Sequence, residues 1–408
     1  MSVAATAGKD SRITDGRRAF KDVSYSKHKR TAVFAQWQRE LLSQQYEACC
    51  HWAAEIDCSL WQDVLWERIV LVASKHVHLH CPKVVLLVAQ RYRDFLRTTT
   101  KTAHTAPMAM HERRNNPALR RNLAQVLGVL CLSEKGPVYQ LPKVDAHRID
   151  VSKLPSSLHP WVIPHRRSGD NELVLKFISA IVRSVEARTM HKALFWLSAL
   201  MHFEKQLKKE RKLAIDMAPR TIEGLELGKH ARDWIWLLWT VLSHAPPTAY
   251  EPRLKRSLDD LTFLFSRGFT TGKKSSRAPL TIHAMLLLSA STAPGGIDWS
   301  GTVFPNMAAA QMVDSALRNI DIMYRDIKRK ALVQQEGERM DAVGAASAAA
   351  PLPGTAMRAP AAAPVSVPVP TPAPPPAPAP KKKGKGGEMP IASIDKMAIV
   401  DAIDATLF

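Results

Sequence analysis

Apolar side chains recur three and four positions apart through residues 46–96: Trp52, Ile56, Leu60 and Val64, then Leu65, Ile69 and Val72. This is the period of helices that bury one broad face. A second run with the same phrasing covers residues 177–242. Alternation of period two, the mark of a strand, is nearly absent, so the pattern predicts an all-α fold. A first helix is expected from Ser26 through Phe34, Trp37 and Leu41. Pro82 interrupts the long run, because it lacks an N–H to donate, and helix resumes over 83–97. The Thr-, His- and Asn-rich stretch 98–116 reads as an exposed loop, 117–131 as a helix, and 134–137 as the turn that ends it. Pro142, Pro155, Pro160 and Pro164 mark a connector. Helical periodicity returns over 173–187, 192–213, 232–243, 253–266, 280–290 and 308–335.

This divides the chain into a polar, basic, disordered arm (1–25), a first helical lobe (26–140), a Pro-containing connector (141–170) and a second helical lobe (171–340). The two lobes invite comparison. EACCHWAAEI aligns with HKALFWLSAL, and WERIVLVASKHV with RDWIWLLWTVLSHAP. Either the lobes are an internal duplication, or amphipathic helices are merely alike. An Ala/Pro-rich linker carrying KKKGK follows (341–388), extended and prone to polyproline II. The last segment, 389–408, regains helical period through Ile391, Ile394, Met397, Ile399, Val400, Ile403, Leu407 and Phe408. A short amphipathic peptide on a long tether either recruits a partner at raised effective concentration or folds back on the body.

Charge changes the picture most. Lys and Arg outnumber Asp and Glu by 57 to 37, a formal net charge of +20, which favours polyanionic partners. Most basic residues are scattered along helices, which suits a face that tracks phosphates. The expected nucleic-acid contacts are Arg91, Arg93 and Arg97; Arg113, Arg114, Arg120 and Arg121; and Lys205, Lys208, Lys209, Arg211 and Lys212. Cys49, Cys50, Cys58, Cys81 and Cys131 are odd in number and lie in apolar sequence, so they read as buried free thiols in a reducing compartment. A hydrophobic leader and a long apolar run are both missing from the sequence, and the expectation is a soluble intracellular protein with no membrane partner.

Candidate chemistry is sparse. His76, His78, His80 and Cys81, with Cys49, Cys50 and His51 near, are the most metal-like group. Solvent-facing histidines on a turn, with Cys81 buried, explain them more simply. Glu55, Asp57, Asp63 and Glu67 read as a charged face with Lys75 and Arg68, and Asp259 and Asp260 likewise with Arg256 and Arg267. Trp52, Trp61, Trp66, Trp196, Trp234, Trp236 and Trp239 sit at helical spacing, which favours core over base stacking. With no nucleophile beside a base, and no glycine-rich strand-to-helix turn, the reading is a non-enzyme without a cofactor.

The helices EACCHWAAEI and WERIVLVASKHVHLHCPKVVLLVAQ, the segment LAQVLGVLCLSEKGPVY closed by Val138 and Tyr139, and FISAIVRSVEARTMHKALFWLSALM in the second lobe carry a resemblance. Over about half the chain they resemble the C-terminal helical collar of clamp-loader-like AAA+ ATPases of the MgsA/RarA type. The ATPase module has no counterpart: GFTTGKKS, Gly268 to Ser275, is one residue short of a phosphate-binding loop and follows a helix. The ending Asp404-Ala405-Thr406-Leu407-Phe408 resembles sliding-clamp-binding peptides, without their usual glutamine and first leucine. The resemblance implies an accessory protein of DNA replication or repair. It would bind phosphates non-specifically, DNA rather than RNA, and recruit a sliding clamp or other replication protein through Ile399, Val400, Ile403, Leu407 and Phe408. Homo-oligomerisation and a nuclear, viral or prokaryotic replication site fit the same picture. The alternatives are a structural or scaffold nucleoprotein of a virion or chromatin-like particle and, third, a metal-dependent enzyme at the His/Cys turn.

Overall fold

The computed structural model describes residues 20–100, 108–144, 149–211 and 215–348, and among these it holds thirteen α-helices and no strand. Several helix starts are set by side chains that satisfy otherwise unpaired N–H groups. Asn116 accepts from Ala118 and Leu119 at 2.9 and 3.2 Å and is followed by Pro117 at the first position of α6 (Pro117–Leu132). Asn171 caps α7 (Glu172–Glu186) at 3.1 and 3.2 Å. Asp233 caps α9 (Trp234–Ser243), and Glu251 caps α11 (Pro252–Ser266).

The long run 46–96 is more broken than its periodicity predicts. After α1 (Arg30–Leu42) it forms α2 (Tyr46–Cys58), α3 (Gln62–Val72) and α4 (Val84–Thr99). Leu60, between α2 and α3, has φ +61°, a left-handed conformation that a branched side chain enters at a cost. Neighbouring bonds hold it there: Ser59 Oγ accepts the Tyr25 N–H at 2.7 Å, and Trp61 Nε1 donates to the Phe20 carbonyl at 2.6 Å. Between α3 and α4 lie a π-helical turn, Ala73–Val77, and a 3-10 turn, His78–His80. The expected loop 98–116 contains a short helix, α5 (Met110–Asn115).

The second half adds α8 (Met190–Gln206), α10 (Pro247–Tyr250), α12 (Lys274–Ser291) and α13 (Met307–Ala348). Pro279 sits inside α12, where it forgoes one intrahelical bond. Burial holds that helix instead, since every residue from Leu280 to Ser289 is buried. Trp37, Trp234, Trp236 and Trp239 are among the largest fully buried side chains, so these tryptophans are core and cannot stack on bases.

The described helices belong to one compact unit with one hydrophobic core. The halves on either side of the 141–170 connector interlock. Arg93 of α4 meets Asp260 of α11 at 2.6 Å, and Arg277 of α12 meets Glu67 of α3 at 3.1 Å. Helix α13 returns to the first half, where Tyr324 Oη donates to Asp57 at 2.7 Å and Asp321 accepts from Arg120 at 3.0 Å. A Cβ on Gly128 of α6 would clash with Val313 Cγ2, so a glycine is what lets α13 approach so closely. Of the expected disordered arm 1–25, residues 1–19 lie outside the described residues, but 20–25 belong to the folded body: Ser24 and Tyr25 are buried, and the Phe20 carbonyl accepts from Trp61 Nε1. The segments 349–388 and 389–408, including Ile399, Val400, Ile403, Leu407 and Phe408, also lie outside the described residues.

Candidate nucleic-acid interface

The basic residues expected to meet phosphates divide into three groups. Arg114 and Arg120 correct the expectation: they are buried, with relative exposures of 0% and 5%, and serve the fold. Arg114 Nε donates to the Cys58 carbonyl at 2.7 Å. Arg120 bonds Asp321 and the Arg114 carbonyl, and its guanidinium lies 4.7 Å from the centre of the Tyr324 ring. A helical arginine reads as solvent-facing until α13, two hundred residues later, covers it.

The second group is at the surface but internally paired. Arg93 is held by Asp260 and stacks over Phe263 at 4.3 Å, Arg97 is bonded to Asp94, and Arg91 lies 3.6 Å from Asp94. Arg113 donates to the Thr99 carbonyl at 2.8 Å, Arg121 lies 3.5 Å from Asp321, and Lys208 bonds Glu204 at 2.7 Å. Arg93 and Arg97 line a cleft of about 1010 Å³ with Lys255 and Arg256, but Asp94, Glu223 and Asp259 line it too. Lys255 is itself bonded to Asp259 at 2.5 Å. This cleft is therefore close to balanced in charge, and Arg93, Arg97 and Lys255 are already paired with carboxylates.

Lys205 and Lys209 make up the third group, exposed and without an ion pair among the described residues. Arg211 ends a π-helical turn, Leu207–Arg211; its side chain and the whole of Lys212 lie outside the described residues. Lys205 opens onto a second cleft, of about 730 Å³, which sequence reasoning missed. Its wall brings together Lys75 from the π-helical turn, Lys143 from the connector and Lys205 from the end of α8. Ser198, His202, Ser275 and Ser276 add polar atoms, and no Asp or Glu among the described residues lines it. Apolar surface comes from Tyr139, Leu141, Val144, Met201, Pro279 and Ile282.

The three lysines are far apart in sequence: the docking of α12 against α8 and the π-helical turn brings Lys75 and Lys205 together, and the Ser198 hydroxyl, donating to the Pro142 carbonyl at 2.7 Å, holds the connector that carries Lys143 beside them. Because like charges repel, such a set is stable only where solvent or an anion screens it. His76, beside Lys75 in the chain, adds no charge at neutral pH: burial, and after it Lys75, pushes it down to about 4.

The remaining candidates resolve as structure. His78 has φ +23°; its Nδ1 accepts the Leu79 N–H at 2.8 Å, so its Nε2 carries the proton that it donates to the Pro137 carbonyl at 3.0 Å. Neither ring nitrogen has a lone pair left for a metal, and a Cβ at Gly136 would collide with the His78 and His80 rings. Among the described residues no group of three or more His, Cys, Asp or Glu could hold a metal ion. The five cysteines are free and buried.

The acidic face expected on the first long helices is not one surface. Glu55 and Asp57 are both buried, Glu55 accepting from the Ser26 N–H at 2.6 Å and Asp57 from Tyr324 and Gln62. Glu67 pairs with Lys273 and Arg277 of the other half of the chain, and Asp260 is buried against Arg93.

The positive balance belongs to the helical body. Residues 341–408 hold six Lys or Arg against five Asp or Glu, so residues 1–340 carry nearly all of the excess. No described helix is long and apolar enough to cross a membrane. Comparisons with protein-family models, curated proteins and solved structures return no match.

Proposed function

We propose that this chain is a non-enzymatic nucleic-acid-binding accessory protein, with a helical body that holds phosphates and a tethered C-terminal peptide that engages a second protein. The observation that carries this reading is the lysine-lined cleft, in which Lys75, Lys143 and Lys205 meet apolar surface with no carboxylate among the described lining residues. A protein that needs only solubility gains nothing by gathering cations in a concavity lined by no described carboxylate; one that binds a polyanion gains affinity and steering.

The resemblance to clamp-loader collars supplies the setting, DNA replication or repair, and names a sliding clamp as the candidate partner of the tail. Binding of single- and double-stranded DNA at about 50 and 200 mM salt is the test, comparing the full chain with one ending at residue 348, the limit of the compact unit. Affinity should fall steeply with salt and survive removal of the tail. Affinity that is absent, or lost with residues 349–408, would refute the assignment of binding to the body. A sliding clamp should be retained by the full chain and released on deleting Leu407 and Phe408.

A further inference from the structure

A duplex and an unstacked strand offer a cleft different chemistry. The outside of a duplex presents phosphate and sugar, with its bases stacked away. A single strand presents phosphates and base faces together, and binding sites for it join cations to aromatic and apolar surface. The lysine cleft has this second composition: Lys75, Lys143 and Lys205 stand around Tyr139, Met201 and Ile282. The Tyr139 ring is half-buried, packed against the hydrophobic core and in edge contact with His78 at 5.9 Å between centroids. A ring held in this way stacks on a base with little further loss of side-chain freedom.

The first turn of α12 also faces the cleft through Ser275 and Ser276, and N–H groups there have no intrahelical partner. At about 730 Å³ the cleft has the size of a site for one small ligand, not for a duplex. The wider arginine cleft differs: Arg93, Arg97 and Lys255 there are paired with carboxylates, Asp94, Glu223 and Asp259 share its wall, and its Phe263 is covered by the Arg93 guanidinium.

Resting on the proposed function, we infer that the lysine cleft is a site for single-stranded polynucleotide, whose phosphates take Lys75, Lys143 and Lys205 and one base of which stacks on Tyr139. Each lysine that meets a phosphate releases counterion condensed on the strand, and the apolar wall gains contact that water cannot supply.

The test uses the full chain, with fluorescence anisotropy of a labelled oligo-dT of about 16 nucleotides and of a duplex of the same length. Four variants are compared. In the first, Lys75, Lys143 and Lys205 are all changed to Gln, and in the second all three are changed to Arg. Tyr139→Ala is the third. The fourth is a charge-matched control in which Lys153, Lys192 and Lys229, exposed and outside the cleft, are changed to Gln.

The cleft Gln variant should lose at least about tenfold in affinity for oligo-dT, and its slope of log affinity against log salt should shrink by about 2. The Arg variant should keep wild-type binding, the control should lose less than about threefold, and Tyr139→Ala should lose severalfold on oligo-dT with the salt slope unchanged. Equal losses in cleft and control variants would overturn the site while leaving the protein a general polyanion binder. Equal losses on oligo-dT and duplex would overturn the preference for single strands, and displacement of oligo-dT by poly-glutamate at matched charge would replace the nucleic acid with an acidic polypeptide. A wild-type chain that binds neither DNA at the lower salt would remove the proposed function and the site together.

Discussion

Asp57 shows how much a single residue of this body holds in place. It is buried, and its carboxylate takes hydrogen bonds from Tyr324 and Gln62 near Arg120 and Lys328. Tyr324→Phe removes one of those donors and should cost about 1–2 kcal/mol, read as a lower urea midpoint at constant slope. Lys328, in the same cluster, is pushed down to about 8 by burial. Its folded pKa lies below its ordinary value of 10.5, so between these two the unfolded chain binds more protons and stability contributed by this group rises with pH. Raising the pH from about 7.5 to 9.5 should therefore favour the wild type over Lys328→Met by roughly 1–2 kcal/mol, measured as the difference between their unfolding free energies at each pH. None of this cluster was legible in the sequence. Asp57 reads as part of an exposed acidic face and Arg120 as a phosphate contact, because the partners that bury them lie on α13, more than two hundred residues away.

Helix identity is the part of the structure that the sequence carries best. The apolar period marks α1, α2, α7 and α9, and Asn116-Pro117, Asn171 and Asp233 are helix starts that can be read by eye. What periodicity misses are local breaks held by tertiary bonds, such as the left-handed Leu60 between α2 and α3 and the π-helical turn at Ala73–Val77. The site depends on one such break, since Lys75 lies in that turn. Helix contacts make a further prediction. On an isolated helix Gly128→Ala would be favourable by about 1 kcal/mol. Here the new methyl would meet Val313, and overpacking should win, with a net loss of about 1–3 kcal/mol in denaturant unfolding. Adding Val313→Ala to Gly128→Ala should recover part of that loss, as expected for residues in direct contact.

At the scale of the whole molecule, the sequence suggests two lobes joined by a connector, and the structure gives their helices a common core. The ion pairs Arg93–Asp260 and Arg277–Glu67 and the return of α13 onto α2 and α6 tie the halves together. Thermal unfolding of the full chain should accordingly show one cooperative transition, with calorimetric and van't Hoff enthalpies in agreement; two separable transitions would indicate independent lobes. The same interlocking gathers Lys75, Lys143 and Lys205, which no sequence pattern relates. Net charge favours polyanions in general and singles out no place on the body for one. Lysine footprinting asks this most directly: the full chain is acetylated with and without saturating oligo-dT, and modification is read by mass spectrometry. Protection centred on Lys75, Lys143 and Lys205, with Lys153, Lys192 and Lys229 unchanged, is the expected result, and equal labelling of both sets with the strand bound would contradict the account.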